Sequence, residues 1–395
     1  MNLKRSMPKT AKYLHDNHWI ELRGYNKIGE STYPNEVALL TGLPPSDKTC
    51  NPLSRHGLNE CPFIWKNFSS KGYITAFGED NPSINTFNYN KQGFYNQPTD
   101  YYMRPFFLGM RSHMAASGIK DFFCTGPVEA ARRIYDYALN FTSKFRYDPY
   151  FALFWTNSFS HEIAGLPLTM DIETLTFLDD LKENGAQNSS VIFFFSDHGI
   201  RRGESFKSYT GYYELRLPFF FASFPPWFKE MYPKLMKDFR INANRLTTPY
   251  DVYSTLLHLL TINEDKRSMR SAKCCSESNS LLEPIDSSRT CKEARIEPQW
   301  CTCGEFLEHD DNGLVLKEMA LSAVDHLNEF GQSKNITLHR VLFGRSTDGT
   351  LSNTFENVIV FETTPGYKRY EAIVSRNKHD KFNIVDKIRP LIAEE

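Results

Sequence analysis

Short, unbroken apolar runs punctuate the middle of this chain: Tyr150-Phe-Ala-Leu-Phe-Trp155, Val191-Ile-Phe-Phe-Phe195 and Leu217-Pro-Phe-Phe-Phe-Ala222. Runs of this length without polar alternation read as strands buried on both faces, as in the middle of a parallel sheet. Between the first two lies Met170 to Leu181, where Ile172, Leu175, Leu178 and Leu181 recur at helical spacing. After the third, Thr248-Pro249 supplies an N-cap and a first-turn proline for a helix over Tyr250 to Leu260. Strands alternating with helices predict an α/β protein with a doubly wound, mostly parallel sheet. Toward the C-terminus the pattern changes to a helix near Leu314–Phe330 and strands near Ile336–Phe343, Asn357–Thr363 and Tyr370–Ser375, a small α+β subdomain.

This pattern divides the chain of 395 residues into a sheet-and-helix core over 1–262, an excursion over 263–310 and the subdomain over 311–395. The excursion has neither helical nor strand period. It holds Cys274, Cys275, Cys291, Cys301 and Cys303 among Ser, Glu and Arg, so disulfides are its expected staples, with Cys50, Cys61 and Cys124 as further partners. The adjacent pair and the one-residue spacing do not suit a zinc knuckle. A formal net charge of −1 gives no reason to expect nucleic acid as a partner.

Four sequons, at Asn67, Asn140, Asn188 and Asn335, agree with the cysteines in pointing to an extracellular or lumenal, glycosylated surface. Yet the first ten residues, Met1-Asn-Leu-Lys-Arg-Ser-Met-Pro-Lys-Thr10, contain no apolar signal core, and no stretch is long enough to span a bilayer. The expectation is that residues upstream of Met1 carry the export signal. A membrane would be met only through such a segment.

The second apolar run ends in Ser196-Asp-His-Gly199. A carboxylate and an imidazole side by side at the carboxyl end of a sheet strand can share a divalent ion, and Gly199 lets the backbone turn away. Alone, Asp-His-Gly is also what an ordinary turn contains. Upstream, Thr32-Tyr-Pro-Asn-Glu-Val-Ala-Leu-Leu-Thr-Gly42 places a hydroxyl at the start of a helix. Free amides and the helix dipole there favour an alkoxide and an incoming oxyanion, which suits Thr32 as a nucleophile. Ser31 and Thr32 suit the plainer task of N-capping equally well. Asn157-Ser-Phe-Ser-His161 follows the first run and offers two further metal-ligand candidates, Asn157 and His161. Lys207 is a candidate anion contact or a solvated surface lysine. His258 lies among leucines and reads as a satisfied core histidine.

Ser196-Asp-His-Gly199 resembles the metal signature of the alkaline phosphatase and sulfatase superfamily, and Pro34, Leu39, Thr41 and Gly42 keep the register of its nucleophile segment. More closely, the chain resembles an animal family of unknown function within that superfamily, expanded in nematodes and insects. Arg5-Ser-Met-Pro-Lys-Thr10, Cys61-Pro-Phe-Ile-Trp-Lys66, Phe77-Gly-Glu-Asp80, Pro98-Thr-Asp-Tyr-Tyr102, Ser160-His-Glu162, Ser196-Asp-His-Gly-Ile200 and Trp300-Cys-Thr-Cys303 carry that likeness over nearly the whole chain.

The resemblance implies an alkaline phosphatase-like α/β fold lacking its first strand, and with it an Asp metal ligand. It also implies one or two divalent ions (zinc or calcium), or none in this chain. Thr32 replaces the Cys that sulfatases convert to an aldehyde, and Glu79-Asp80 replaces a lysine that holds sulfate, where two carboxylates would repel an anion. The function so implied is metal-dependent hydrolysis of a phosphate or sulfate ester, on a small molecule or glycan, by a secretory-pathway protein with Thr32 as nucleophile. The alternative is a non-catalytic extracellular or lumenal binding protein. Loss of a core strand should also lower stability.

Overall fold

The computed structural model describes residues 2–118, 122–161, 165–200, 209–264, 272, 278–304, 306–307, 309–330, 335–346, 356–376 and 381–391. Met1–Arg201 with Ser208–Ser287 form one compact unit, and Ser288–Glu395 make most of a second.

The strands of the first unit are Ile20–Glu21 (β1), Ile74–Glu79 (β2), Tyr101–Tyr102 (β3), a small hairpin of Cys124–Thr125 (β4) and Val128–Glu129 (β5), then Tyr150–Trp155 (β6), Ile192–Phe195 (β7) and Phe220–Ser223 (β8). Among the described residues the sheet comes in two three-stranded pieces, β3-β2-β6 and β1-β8-β7. In the first piece every pair is parallel, with Ile74 opposite Tyr150 and Glu79 opposite Trp155. In the second, β8 runs antiparallel to both neighbours, Ile192 facing Ser223 and Ile20 facing Ala222. The third apolar run is therefore a strand whose direction hydrophobicity could not reveal, since a buried run reads alike in either orientation.

The edges of β6 and β7 face each other. At their starts Tyr150 Oη lies 2.6 Å from Oγ of Ser190, two residues before β7, and at the far end the rings of Trp155 and Phe195 are 5.5 Å apart. Start lies near start and end near end, so the two strands point the same way. They are joined by side chains and not by a ladder, and every residue of both is half-buried, as befits strands that each have one hydrogen-bonded neighbour.

Helices cover the sheet where the apolar spacing placed them. Asp171–Glu183 buries Leu178 and Leu181, while Ile172 at its start stays exposed. Pro249–Leu260 begins with a complete capping box, the Asp251 carboxylate taking the amide of Thr248 at 2.9 Å. His258 on that helix is buried and its Nδ1 lies 2.9 Å from Oγ of Ser280. A disulfide joins Cys50 to Cys61.

The second unit is an antiparallel sheet backed by the helix His309–Phe330. Its strands are Phe306–Leu307 (β9), Thr337–Ser346 (β10), Glu356–Thr364 (β11), Arg369–Arg376 (β12), Phe382–Ile384 (β13) and Arg389–Leu391 (β14). They run in the order β13-β12-β11-β10-β9, with β14 also on β12. Leu316, Met319, Ala320 and Ala323 of the helix pack on Ile359, Phe361, Ala372 and Val374 of the sheet. The disulfide Cys291–Cys301 staples the segment before it, while Cys274 and Cys275 lie outside the described residues.

Candidate functional site

The candidate site assembles at the carboxyl ends of β2, β6 and β7, where open α/β sheets place their ligands. Asp197 and His198 follow β7 directly. Nδ1 of His198 lies 2.8 Å from the carbonyl oxygen of Gly199, an acceptor only, so Nδ1 carries a proton and in the neutral ring Nε2 holds the lone pair. That is the tautomer a metal-ligating histidine needs. Nε2 in turn lies 3.2 Å from Oδ2 of Asp197, which is buried and accepts no hydrogen bond. Two ligands of one tetrahedral ion, bound at about 2.0–2.1 Å, stand about 3.3 Å apart. An unsatisfied buried oxygen and an imidazole nitrogen at this separation fit a divalent cation.

The turn that holds them depends on Gly199. A Cβ there would sit 1.9 Å from the carbonyl oxygen of Glu214, and the Gly199 amide donates to the Leu215 carbonyl at 3.2 Å. Glu214 is pinned from outside by both guanidinium nitrogens of Arg5, at 2.8 and 2.6 Å. Arg5 thus supports the Asp-His turn through the helix Tyr209–Arg216.

Thr32 is the first residue of the helix Thr32–Thr41, after an N-cap Ser31 whose side chain makes no capping bond. The entry loop is fixed instead by Asn35. Its Oδ1 accepts from the amides of Ile28 and Gly29, and its Nδ2 donates to the carbonyls of Gly29 and Ser31. Gly29 is needed there, because a Cβ would lie 2.5 Å from Cβ of Pro34. At the other end Gly42 adopts a left-handed φ of 62°, and Thr41 Oγ1 bonds back to the Val37 carbonyl. The Pro, Thr and Gly of this segment hold the helix, and Thr32 sits half-buried at its start.

Glu79 and Asp80, at the end of β2, are not a repulsive wall. Oε1 of Glu79 accepts from the amide and hydroxyl of Thr86 and from Nδ2 of Asn157, at 2.7, 2.9 and 2.8 Å. Asp80 accepts from the amides of Asn157 and Ser158 and from the Ser158 hydroxyl. Both are structural acceptors that shape the turn after β6. Burial pushes Glu79 up to about 7 and Asp80 to about 6. The Asn157 amide is engaged at both ends, its Oδ1 taking the Trp155 indole N–H at 3.2 Å.

Glu36 is a polar helix position that the apolar pattern of the chain does not single out. It is buried, and neither of its oxygens accepts a hydrogen bond. Burial first, then the charges of Asp197 and Glu79, hold its carboxyl well above the usual range. Its spacing was the available signal: Glu36 is four residues after Thr32 and shares its helix face.

His161 is half-buried in the turn after β6, its amide bonded to the Asn157 carbonyl. Among the described residues the only set of three His, Cys, Asp or Glu ligand atoms all within 4.8 Å is Cys291, Cys301 and Cys303, so His161 does not close a compact triplet with Asp197 and His198. Lys207 lies outside the described residues. The sequon residues Asn67, Asn140, Asn188 and Asn335 are all exposed. Among the described residues no helix is long and apolar enough to cross a membrane.

A family model described as a protein of unknown function (DUF229) matches residues 1–342. Among solved structures, the chain is similar to a protein of the alkaline phosphatase superfamily from Vibrio parahaemolyticus, at 12% identity over 97% of this chain and 76% of that one, with a TM-score of 0.45. It is also similar to the PsFucS1 sulfatase from a Pseudoalteromonas species (16% identity, 72% and 68% coverage, TM-score 0.42). A third similar structure is the C-terminal periplasmic domain of EcEptC from Escherichia coli, in complex with zinc (12% identity, 79% and 88% coverage, TM-score 0.44). No curated protein gives a significant match.

Proposed function

This chain belongs to the DUF229 family of proteins of unknown function, and on that premise we propose that it is a metal-dependent phosphate- or sulfate-ester hydrolase of the secretory pathway. The observation that carries the reading is the Asp197–His198 pair: an imidazole with its proton committed to Gly199 and its lone pair 3.2 Å from a buried carboxylate oxygen without a donor. Asp197 and His198 would hold the ion. A divalent cation bound there supplies Lewis acidity, lowering the pKa of a nearby hydroxyl and stabilising charge on the ester oxygens.

The chain's own residues would do the rest. Thr32 Oγ attacks phosphorus or sulfur in line and gives up its proton. The new Thr–O bond forms as the bond to the ester oxygen breaks, and the departing oxygen takes a proton. Water then hydrolyses the threonyl ester and restores Thr32. The helix N-terminus behind Thr32 presents amides to the transferred group. Exposed sequon asparagines and the disulfides Cys50–Cys61 and Cys291–Cys301 support a lumenal or extracellular site of action.

A second reading, a binding protein without catalysis, is favoured by Asn157. Its amide is spent on Glu79 and Trp155, which leaves no carboxylate for a second ion at that point. The two separate in one experiment. Purified protein is assayed on an aryl phosphate, an aryl phosphodiester and an aryl sulfate with added zinc or calcium, beside Thr32→Ala and Asp197→Ala. Hydrolysis lost in both variants supports the enzyme; no hydrolysis, or hydrolysis unchanged by both, leaves the binding protein.

A further inference from the structure

Of the buried acids gathered around the site, Glu79 and Asp80 have donors to every purpose, with three bonds to one oxygen of Glu79 and the Asn157–Ser158 turn wrapped on Asp80. Glu36 has none. It is 2% exposed, both oxygens are buried, and neither accepts a hydrogen bond. An ionised carboxylate held this way costs several kcal/mol, so a proton or a cation must compensate it.

The surroundings indicate which. Glu36 stands one turn beyond Thr32 on the same face of the helix Thr32–Thr41, and its carboxyl feels the charges of Asp197 and Glu79. Tyr25, itself buried, feels both Glu36 and Asp197. Backbone geometry ties the two places together: Asn35, beside Glu36, holds the amides of Ile28 and Gly29, the Lys27 amide donates to the Arg216 carbonyl at 3.0 Å, and the adjoining Leu215 carbonyl takes the Gly199 amide of the Asp197–His198 turn.

We infer that Glu36 is a further carboxylate of the cation site formed by Asp197 and His198, carried on the nucleophile's own helix. The inference rests on the reading of Asp197–His198 as a cation site. With it the protein charge facing the ion rises from one carboxylate to two, making up in part for an amide at Asn157. The ligand atoms of Glu36, Asp197 and His198 do not all lie within 4.8 Å of one another, so Glu36 reaches the ion by a side-chain rotation or through one water, as carboxylates commonly do around hard cations. A helix that carries both Thr32 and a cation-seeking carboxylate would also draw the hydroxyl toward the ion.

The test is binding, not turnover. Zinc and, separately, calcium are titrated into metal-stripped full-length protein by calorimetry, and ion content after dialysis is measured by mass spectrometry. Glu36→Gln keeps shape and volume and removes only the charge. It is expected to bind at least ten times more weakly than the parent and to lose most of the ion-induced rise in Tm, as Asp197→Asn should. The metal-free Glu36→Gln protein should melt no lower than the parent at pH 8, because an unpaired buried acid has gone. Equal affinity in Glu36→Gln and parent, with Asp197→Asn weakened, overturns the role of Glu36 and leaves the Asp197–His198 site standing. A parent that binds neither ion overturns that site itself, and the inference with it.

Discussion

The side-chain amide of Asn157 donates to Oε1 of Glu79 at 2.8 Å, joining the turn after β6 to the end of β2 in a buried site. This bond makes Asn157→Asp an informative change. The substitution would restore a carboxylate beside the site but set it against Glu79 with no donor between them. It is expected to cost about 3 kcal/mol at pH 8, typical of an uncompensated buried charge. At pH 5, where Glu79 is protonated and can donate, the cost should fall by about half. Urea unfolding at the two pH values checks this; equal losses would show that Asn157 and Glu79 do not interact as drawn.

Glu79 also sets a pH dependence for the metal-free protein. Its carboxyl rises from 4.5 to about 7 on folding because burial disfavours the ionised form. A raised folded value means that the folded state holds the proton more tightly. The stability contributed is complete below about pH 4.5 and is lost as pH climbs to about 7, by about 3 kcal/mol if the whole shift is realised. Asp80, raised from 3.8 to about 6, acts in the same direction at slightly lower pH. In Glu79→Gln, where Oε1 still accepts all three of its bonds, the slope between pH 5 and 7 should flatten markedly. An unchanged slope would assign it to other groups.

Much of this was legible in the chain because short apolar runs and helical spacing mark where strands and helices form, although β6 and β7 are half-buried throughout and not buried on both faces. β6, β7, the helix Asp171–Glu183 and the capped helix Pro249–Leu260 all lie where those patterns place them. So did the C-terminal strands, Thr337–Ser346, Glu356–Thr364 and Arg369–Arg376. What could not be read was direction and partnership. A run such as Leu217–Ala222 does not say that β8 will lie antiparallel to β7. Glu79-Asp80 reads as negative charge, whereas its donors, Thr86, Asn157 and Ser158, come from other turns. Glu36 is the converse case: an unremarked polar residue whose lack of donors shows only once the helix is packed.

Gly199 offers a test of the Asp-His turn that leaves Asp197 and His198 untouched in identity. A Cβ at 1.9 Å from the Glu214 carbonyl cannot be absorbed by a side-chain rotation, because the obstacle is backbone. Gly199→Ala should displace the turn, lower stability by about 2–4 kcal/mol and break the Nδ1 bond that sets the His198 tautomer. Zinc affinity should then fall by at least tenfold even in the folded fraction, as loss of an orienting partner typically does. Folded Gly199→Ala that binds zinc as the parent does would show that this bond does not set the geometry of His198.

Arg5 reaches the same turn from the opposite side. Its guanidinium is half-exposed, while the Glu214 carboxylate it grips in two bonds is buried. Removing the arginine leaves a buried acid without its counter-charge, a change worth about 2–3 kcal/mol with the exposed partner's screening allowed for. The consequence should not stay local, since the same helix residue supplies the carbonyl that crowds Gly199 and its neighbour Leu215 accepts the Gly199 amide. Arg5→Ala is therefore expected to speed hydrogen exchange at the Gly199 amide as well as lower Tm. Arg5→Lys, which keeps charge but not the two-pronged grip, should recover part of the Tm and less of the protection. If exchange at Gly199 is unmoved in Arg5→Ala while Tm drops, the salt bridge anchors the helix Tyr209–Arg216 without positioning the Asp197–His198 turn.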